Sequence, residues 1–228
     1  MGKLAGAVQE RLKIMEIEEQ ITKYKDQGLK IFASSSFQTQ SVVLLHLISK
    51  IDNSIPIYFL NTGFHFPETL EYKAELTKRF DLNVVDLFSE ISKIQQRNDA
   101  GRMLYTSDPD YCCYLNKVQP LEPIMKNFDI WISGVRSDQS AVREGMSTEN
   151  KAHHGVTRYH PMLGWTGKMI YEYIAKHTLP KHPLDGEGYF SIGCQPCTIK
   201  MRLSGDRDNR WYGQNKTECG IHTELVIS

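Results

Sequence analysis

The sequence predicts an α/β fold with a mainly parallel, doubly wound sheet flanked by helices. Four short apolar runs suited to buried strands occur in the first 133 residues, and segments with helical periodicity separate them. Strands that alternate with helices are typical of a parallel sheet covered on both faces. The chain has 228 residues, which is enough for one sizeable core, with or without an appended segment.

The predicted elements follow one another in a regular order. Strands are predicted at Leu29–Ala33, Ile57–Leu60, Val84–Leu87 and Ile130–Ser133. Helices are predicted over residues 1–20, from Ser41 onward, and over residues 66–80, 115–128 and 165–179. Pro67 suits a first helical turn, whereas Pro120 and Pro123 should delay or break the helix that contains them. Residues 134–155 are predicted to form a long functional loop, and no regular element is predicted from Gly186 onward.

The charge of the chain is balanced. Lysine plus arginine and aspartate plus glutamate both number 27, so the net charge is zero. No overall field favours nucleic acid or an anionic membrane, and a bound anion would need a local cationic cluster. The N-terminus lacks the apolar stretch of a signal peptide, and no apolar run approaches the length of a membrane span. The expected location is the cytoplasm, where cysteines are expected to be ligands, catalysts or core residues.

A serine-rich segment, SSSFQTQS, follows the first predicted strand at residues 34–41. Ser34, Ser35 and Ser36 would place hydroxyls beside the free N–H groups of the next helix, a position that favours an anion. In a doubly wound sheet, ligands bind at the carboxyl ends of the strands. A serine-rich helix cap without a ligand is the alternative. The segment has neither the GxxxxGK[ST] pattern of a P-loop nor the GxGxxG pattern of a dinucleotide site.

Two further loops should reach the same edge of the sheet. Asn61 and Thr62 follow the second strand and could hydrogen-bond a ribose or a base, although a capped turn alone explains them better. Arg136 and Arg143 follow the fourth strand, and guanidinium groups suit phosphate or sulfate. For these arginines, surface salt bridges are the alternative.

Four of the five cysteines form two pairs. Cys112 and Cys113 are adjacent, and Cys194 and Cys197 form a CxxC motif. Two thiol pairs indicate a tetrahedral thiolate site. Adjacent cysteines fit an iron–sulfur cubane, which offers separate corners, better than they fit zinc. CxxC by itself could also be a redox motif.

The fifth thiol, Cys219, lies in the polar segment KTECGIH near the C-terminus. The other residues of interest in this region are Arg207, Arg210, Lys216 and His222. Cationic neighbours stabilise a thiolate and lower its pKa, whereas Glu218 would oppose this effect. A nucleophile in a mobile tail could dock onto a bound anion and then swing out to meet a second protein. An incidental surface cysteine is the alternative.

Together these segments resemble the assimilatory adenylyl-sulfate and phosphoadenylyl-sulfate reductases. The matching segments, in order over roughly residues 30–222, are SSSFQTQS, NTGFHFPET, CCYLNKVQPL, SGVRSDQSAVR, SIGCQPCT and KTECGIH. The combination of CC and CxxC with KTECGIH is the specific part. The resemblance implies a fold like that of the PP-loop (adenine nucleotide alpha hydrolase-like) group, with an adenine nucleotide at the carboxyl edge of the sheet.

The resemblance also implies a reaction. The Cys219 thiolate would attack the sulfur of a nucleotide-bound sulfate, AMP or adenosine 3′,5′-bisphosphate would leave, and an S-sulfocysteine would remain. Thioredoxin or a glutaredoxin-like dithiol protein would then release sulfite. A [4Fe–4S] cluster would tune the site electrostatically without supplying electrons, on the ligands Cys112, Cys113, Cys194 and Cys197.

The resemblance assigns substrate contacts and a domain organisation. The implied contacts are Ser34, Ser35, Ser36, Phe37, Gln40, Asn61, Thr62, Lys117, Arg136, Arg143, Arg207, Arg210, Lys216 and His222. Residues 1–203 would form one nucleotide-binding α/β domain with the iron–sulfur site, and residues 204–228 a mobile catalytic tail. Assembly as a homo-oligomer is open, and neither a nucleic acid nor a membrane partner is expected.

Two departures from the family pattern bear on the substrate. Asn116 stands where cluster-bearing members usually have arginine, so one charge is missing near the cluster. Gln40 and Ser41 stand where adenylyl-sulfate enzymes commonly carry an acidic pair that would repel a 3′-phosphate. The four cysteines favour adenylyl sulfate, and the phosphorylated substrate or dual use is the alternative.

Three functions outside the reductases are also open. A PP-loop ATP pyrophosphatase usually carries an SGGxDS-like loop, which SSSFQTQS does not match. A metal-bearing nucleotide-binding regulator would need the four paired cysteines but would have no use for Cys219. A thiol redox protein would use CxxC as its dithiol, although Cys194 lies far from any thioredoxin-like βαβ start.

Overall fold

The computed structural model describes residues 2–189, 191–200, 210, 218–222 and 225. The side chains of residues 2–5 and of His222 are not described. Arg207 and Lys216, two of the implied substrate contacts, lie outside the described residues, as does most of the predicted tail 204–228.

Within the described residues, six strands form one sheet in the order β3-β2-β1-β4-β6-β5. The strands are β1 (Ile31–Ser34), β2 (Ile57–Leu60), β3 (Val84–Leu87), β4 (Ile130–Ser133), β5 (Glu149–Lys151) and β6 (Thr157–Tyr159). All neighbouring strands are parallel except β5 and β6, which are antiparallel. The chain builds outward from β1 to β2 and β3, then returns to place β4 on the other side of β1. The strand order therefore reverses between β1 and β4.

The strands differ from the sequence prediction in two places. β2, β3 and β4 have the predicted bounds, whereas β1 covers Ile31–Ser34 in place of Leu29–Ala33. The prediction of a single loop over residues 134–155 was wrong, because β5 lies inside it. β5 is short, polar and largely exposed at the sheet edge, and β6 carries the buried Arg158. Neither strand is an apolar run, so neither had a signal in the sequence.

The helices cover both faces of this sheet. They are α1 (Gly2–Asp26), α2 (Val42–Ile51), α3 (Pro67–Phe80), α4 (Leu104–Ser107), α5 (Pro109–Cys113), α6 (Glu122–Met125), α7 (Ala141–Glu144) and α8 (Gly167–Lys176). The predicted helix over residues 115–128 is instead a π-helix, Tyr114–Val118, followed after a turn by α6. Pro123 lies in the first turn of α6, where a missing N–H costs nothing. No helix in the described part of the chain is long and apolar enough to cross a membrane.

Side chains of one strand enter two separate cores. Ile31 and Ala33 belong to the core beneath α1, α2 and α8, whereas Phe32 belongs to the core on the opposite face. This alternation follows from the two-residue period of a strand. The second core also contains Trp131 and Leu225, so a residue near the C-terminus is anchored in it. Burial on both faces confirms the predicted doubly wound sheet.

The buried His182 ties the loop after β1 to α3. Its Nδ1 accepts a hydrogen bond from the Leu184 N–H at 3.2 Å, so the ring proton lies on Nε2. Nε2 donates to Thr69 Oγ1 at 2.9 Å, and the His182 backbone N–H donates to Thr39 Oγ1 at 3.0 Å. Burial lowers the pKa of His182 to about 4, which keeps the ring neutral.

Because His182 resists protonation in the fold, we expect stability to fall in mild acid. An unfolded histidine takes up a proton near pH 6.5, whereas folded His182 does so only near its pKa of about 4. Its contribution is complete above pH 6.5 and decreases as the pH falls towards 4. In His182→Asn, the slope of unfolding free energy against pH in this window should decrease by about 1 kcal/mol per pH unit. Denaturant titrations monitored by tryptophan fluorescence measure the slope, and an unchanged slope would contradict the assignment.

Candidate functional site

A cavity lies at the carboxyl ends of β1 and β4, where the strand order reverses. Doubly wound sheets bind ligands at this position. This cavity, which we call the large cavity, has a volume of about 190 Å³. Its polar lining includes Ser34, Ser35, Ser36, Gln40, Lys117, Arg143 and Arg210. Cys219 also lines this cavity, so the structure brings the C-terminal thiol to the predicted edge of the sheet.

The loop after β1 is held by two aromatic side chains. Phe37 has a φ of 49°, a left-handed conformation that is uncommon for a large residue, and its ring is fully buried against Phe59. Its N–H donates to Ser35 Oγ at 3.1 Å. Trp131 Nε1 donates to Ser34 Oγ at 2.8 Å. Phe37 is absent from the cavity lining, so its role in this structure is to hold the loop conformation through its buried ring.

Two residues of the loop after β2, Asn61 and Thr62, do not line the large cavity, although His65 of the same loop does. Asn61 Nδ2 donates to Asp86 Oδ2 at 3.0 Å. Thr62 is buried, with Oγ1 3.3 Å from Cys194 Sγ, and it lines a second cavity beside the cysteines. Neither residue lines the large cavity, so the structure places them away from the substrate contacts that the resemblance implies for them.

Arg136 contacts the cavity through another residue. Its side chain is buried, with Nη1 donating to Gln40 Oε1 at 2.6 Å and Nε donating to Asp138 Oδ1 at 2.9 Å. Gln139 Nε2 also donates to Gln40 Oε1, at 3.1 Å. These two donors fix the orientation of the Gln40 amide, which lines the cavity, whereas Arg136 itself does not.

The four paired cysteines line one small second cavity, together with Thr62 and Lys117. Cys112 and Cys113 end α5, which Pro109 begins and Asp108 caps by accepting from the Tyr111 N–H at 3.0 Å. The π-helix that follows carries Lys117, and such widened turns are frequent at functional sites. Cys194 and Cys197 reach the cavity from a turn whose Gln195 N–H donates to a carbonyl of the loop after β2.

The donor set of this second cavity fits an iron–sulfur cluster. Burial, then the neighbouring Cys194 and Cys197, raise the pKa of Cys112 to about 11, and a bound metal centre would offset this effect by stabilising the thiolates. Across the described chain, no group of three or more His, Cys, Asp or Glu side chains is arranged to hold a metal ion. A cubane places each cysteine on a different iron, so its ligands are spaced more widely than the ligands of one ion. Four thiols line this one cavity, and four is the number of cysteine ligands that a cubane takes.

Asn116 forms a buried amide pair with Gln96 beside these cysteines. Asn116 Nδ2 donates to Gln96 Oε1 at 2.6 Å, and Gln96 Nε2 donates to Asn116 Oδ1 at 3.0 Å. Asn116 Nδ2 also donates to the Cys112 carbonyl at 2.8 Å and lies 3.6 Å from Cys112 Sγ. The position therefore holds a neutral donor to Cys112, where the family pattern predicted an arginine.

Cys219 lines the large cavity and contacts Cys113, which lines the second cavity. It is buried, and its Sγ forms a hydrogen bond with Cys113. That hydrogen bond is the largest cause of a pKa well below the ordinary range for Cys219. Burial opposes it, while Lys117, a backbone hydrogen bond from Ile221 and Arg210 act in the same direction. The thiol thus sits in surroundings that favour the thiolate, which is the nucleophilic form.

Two cations, Lys117 and Arg210, help to lower the pKa of this thiol. Burial lowers the pKa of Lys117, but the thiols of Cys219, Cys113 and Cys194 outweigh it, so the ammonium is retained. Arg210 lies against Gly193, where a Cβ would stand 2.2 Å from Arg210 Nη2. A side chain at Gly193 would therefore displace the guanidinium from the cavity. This gives a physical reason for glycine in the SIGC segment.

Sequence reasoning missed two interactions at the site. Arg143 and Glu218 form a buried ion pair, with Nη2 3.0 Å from Oε2. Arg158 is fully buried over the Trp131 ring, 4.1 Å from its centroid, and Nη1 donates to the Ile221 carbonyl at 2.8 Å. Both join distant segments. Arg158 lies in a short polar stretch of sequence that carries no signal for such a role.

Comparisons with known proteins agree with this geometry. The sequence profile of the phosphoadenosine phosphosulfate reductase domain matches residues 30–200. An adenosine 5′-phosphosulfate reductase of Bacillus cereus (strain Q1) is 39% identical over 202 residues, covering 87% of this chain and 86% of the relative. A protein of the same name from Bacillus thuringiensis subsp. konkukian (strain 97-27) matches to the same extent.

Solved structures share the fold. A phosphoadenylyl-sulfate reductase from Candida auris has a TM-score of 0.69 at 21% identity, covering 80% of this chain and 89% of that chain. An FMN adenylyltransferase from Candida glabrata has a TM-score of 0.62 at 14% identity, covering 92% of this chain and 78% of that chain. These likenesses confirm the predicted PP-loop type of fold. The profile match over most of the chain and the relatives at 39% identity show that the chain belongs to the phosphoadenosine phosphosulfate reductase family.

Proposed function

We propose that this protein reduces adenylyl sulfate to sulfite and AMP in sulfate assimilation, with Cys219 as the nucleophile. The observation that carries the proposal is the position of Cys219 in the lining of the cavity at the carboxyl ends of β1 and β4. A nucleotide at that edge of the sheet would present its sulfate to the thiol. The relatives named adenosine 5′-phosphosulfate reductase support the choice of substrate.

In the first proposed step, the Cys219 thiolate attacks the sulfur of the phosphosulfate. A sulfur–sulfur bond forms, the bond from sulfur to the phosphate oxygen breaks, and AMP leaves with the electron pair of that bond. Lys117 and Arg210 lie beside the thiol and would offset the negative charge of the sulfate and of the departing phosphate. Ser35 and Ser36 in the cavity lining would donate hydrogen bonds to the same oxygens.

In the second proposed step, thioredoxin or a glutaredoxin-like dithiol protein attacks the Cys219 sulfur. Sulfite leaves, and a mixed disulfide joins Cys219 to the partner. The partner's second thiol then releases Cys219 and becomes part of a disulfide, which supplies the two electrons of the reduction. Because Cys219 is buried beside the cavity, the segment that carries it must open for this exchange. This requirement supports the proposed division into a domain of residues 1–203 and a tail of residues 204–228.

A [4Fe–4S] cluster would be held by the four thiols on the second cavity, Cys112, Cys113, Cys194 and Cys197. When bound, it would tune the site electrostatically without donating electrons. The chain's own contributions are the Asn116 donor to Cys112 and the Thr62 hydroxyl beside Cys194. We place the reaction in the cytoplasm, where thiol reductants keep cysteines reduced.

Side-by-side kinetics with adenylyl sulfate and its 3′-phosphorylated form, with thioredoxin as reductant, test this function. We expect kcat/KM for adenylyl sulfate to be at least about tenfold higher, because the relatives at 39% identity are named for that substrate. Equal or reversed values would assign the protein to dual use or to the phosphorylated substrate. Cleavage of ATP to pyrophosphate without sulfite release from either compound would overturn the reductase assignment.

A further inference from the structure

A buried carboxylate–guanidinium pair lies directly beside the Cys219 position in the chain. Arg143 Nε donates to Glu218 Oε1 at 3.1 Å and Nη2 donates to Oε2 at 3.0 Å, so the contact is bidentate. Ser140 Oγ donates to Glu218 Oε1 at 2.7 Å. Arg143 and Glu218 are 7% and 6% exposed, so this is a desolvated pair and not a surface salt bridge.

The segment is held on the other side of Cys219 as well. The Ile221 carbonyl accepts from Arg158 Nη1 at 2.8 Å, and Arg158 Nη2 donates to Ser133 Oγ at 3.2 Å. Further along, Leu225 is fully buried in the core that contains Trp131. The thiol therefore lies between two anchors, one before it in the chain and one after it. Only the first anchor joins a loop at the large cavity to the residue next to the nucleophile.

We infer that Glu218 and Arg143 are positioning residues that dock the Cys219 segment over the cavity. The inference rests on the proposed role of Cys219. It gives Arg143 a function other than direct contact with the substrate. It also explains how a glutamate is accommodated next to a thiolate, since the carboxylate charge is balanced by a guanidinium.

The competing assignment is that Arg143 binds the substrate anion, because this residue also lines the large cavity. The two assignments predict different kinetics. A substrate contact would raise KM whether or not Glu218 is present. Loss of a docking contact would lower kcat with little change in substrate affinity. The decrease in kcat would be the same whether Arg143 or Glu218 is replaced. The double variant separates these cases, because the effects of replacing two residues that form one contact are not additive.

The first test measures alkylation of Cys219 by iodoacetamide in the cluster-loaded protein without substrate, with site occupancy read by mass spectrometry. The rate follows the population of the open segment. In Glu218→Gln and in Arg143→Met, we expect alkylation to be faster by about tenfold or more, because losing a buried bidentate pair raises the population of the open segment. An effect of charge alone would change the alkylation rates of the two variants in opposite directions. Removing the carboxylate favours the Cys219 thiolate, whereas removing the guanidinium disfavours it. Faster alkylation in both variants therefore reports docking.

The second test measures kcat and the dissociation constant of AMP for the same variants. We expect kcat to fall about tenfold or more in each single variant, with AMP affinity within about twofold. The double variant Glu218→Gln/Arg143→Met should be no slower than the slower single variant. Glu10→Gln is the control, because it breaks another ion pair of a buried carboxylate, with the exposed Lys176 Nζ at 2.7 Å, outside the lining of either cavity. The control should lose stability while its Cys219 alkylation rate and kcat stay within about twofold of the unchanged protein.

Three results would overturn the inference. They are an unchanged alkylation rate in Glu218→Gln, a slower rate in Arg143→Met, and a loss of AMP or substrate affinity on Arg143→Met in the Glu218→Gln background. Failure of the reductase proposal is recognised separately. In that case no variant releases sulfite, yet the alkylation rates still report whether the pair docks the segment.

Discussion

Replacing Cys219 with serine is expected to abolish sulfite release while leaving nucleotide binding intact. The reaction needs a thiolate, and the cationic Lys117 and Arg210 near Cys219 favour that form. A serine hydroxyl is not ionised at neutral pH and is a far weaker nucleophile. We therefore expect turnover to fall by at least about 10⁴-fold, a loss typical of removing an essential nucleophile. The measurement is sulfite release with adenylyl sulfate and thioredoxin, beside calorimetric binding of AMP.

A trapping experiment gives this variant its control. Without reductant, the unchanged protein should gain the mass of one sulfonate group on Cys219 when adenylyl sulfate is added, and Cys219→Ser should gain none. Normal AMP affinity and an unchanged visible spectrum in the variant would show that the fold and the cluster are intact. Measurable steady turnover by Cys219→Ser would show that the thiol is not the nucleophile.

Replacing Cys197 with serine is expected to remove the cluster. Cys197 is the one partly exposed member of the four proposed ligands, so serine fits there with little disturbance of packing. A hydroxyl is a poor ligand for iron–sulfur clusters, which require thiolate or imidazole donors. Protein purified without oxygen should lose its visible iron–sulfur absorbance and nearly all its iron. Absorbance and iron content measure this loss independently of activity.

The control for this second variant is Cys219→Ser, which removes the thiol outside the proposed ligand set and should keep both colour and iron. The corresponding serine variants of Cys112, Cys113 and Cys194 should bleach in the same way. A colourless, zinc-loaded and fully active protein would contradict the cluster assignment.

Much of the fold follows from local patterns in the sequence. The strands Ile57–Leu60, Val84–Leu87 and Ile130–Ser133 are apolar runs with clear boundaries, and the structure has them with the same bounds. β5 and β6 were missed because an edge strand needs no buried face and because β6 buries an arginine. The backbone pairing of such strands depends on a neighbouring strand, which no local pattern reveals.

At the candidate site, local patterns also revealed only part of the arrangement. Its residue types were visible in the sequence, because serines after a strand, arginines after another strand and paired cysteines each indicate their chemistry locally. Their partners were not visible. Phe37 and Arg136 support other residues of the loops, and Thr62 lies against Cys194 and away from the large cavity.

The sequence by itself determined the family, the doubly wound sheet and the separate status of Cys219 among the cysteines. Only the tertiary structure decided that Glu218 pairs with Arg143, a contact between residues 75 positions apart. It also decided that Arg158 holds the Ile221 carbonyl. The physical reason is that composition and spacing report what a side chain can bind. Burial and long-range packing decide which of its potential partners it meets.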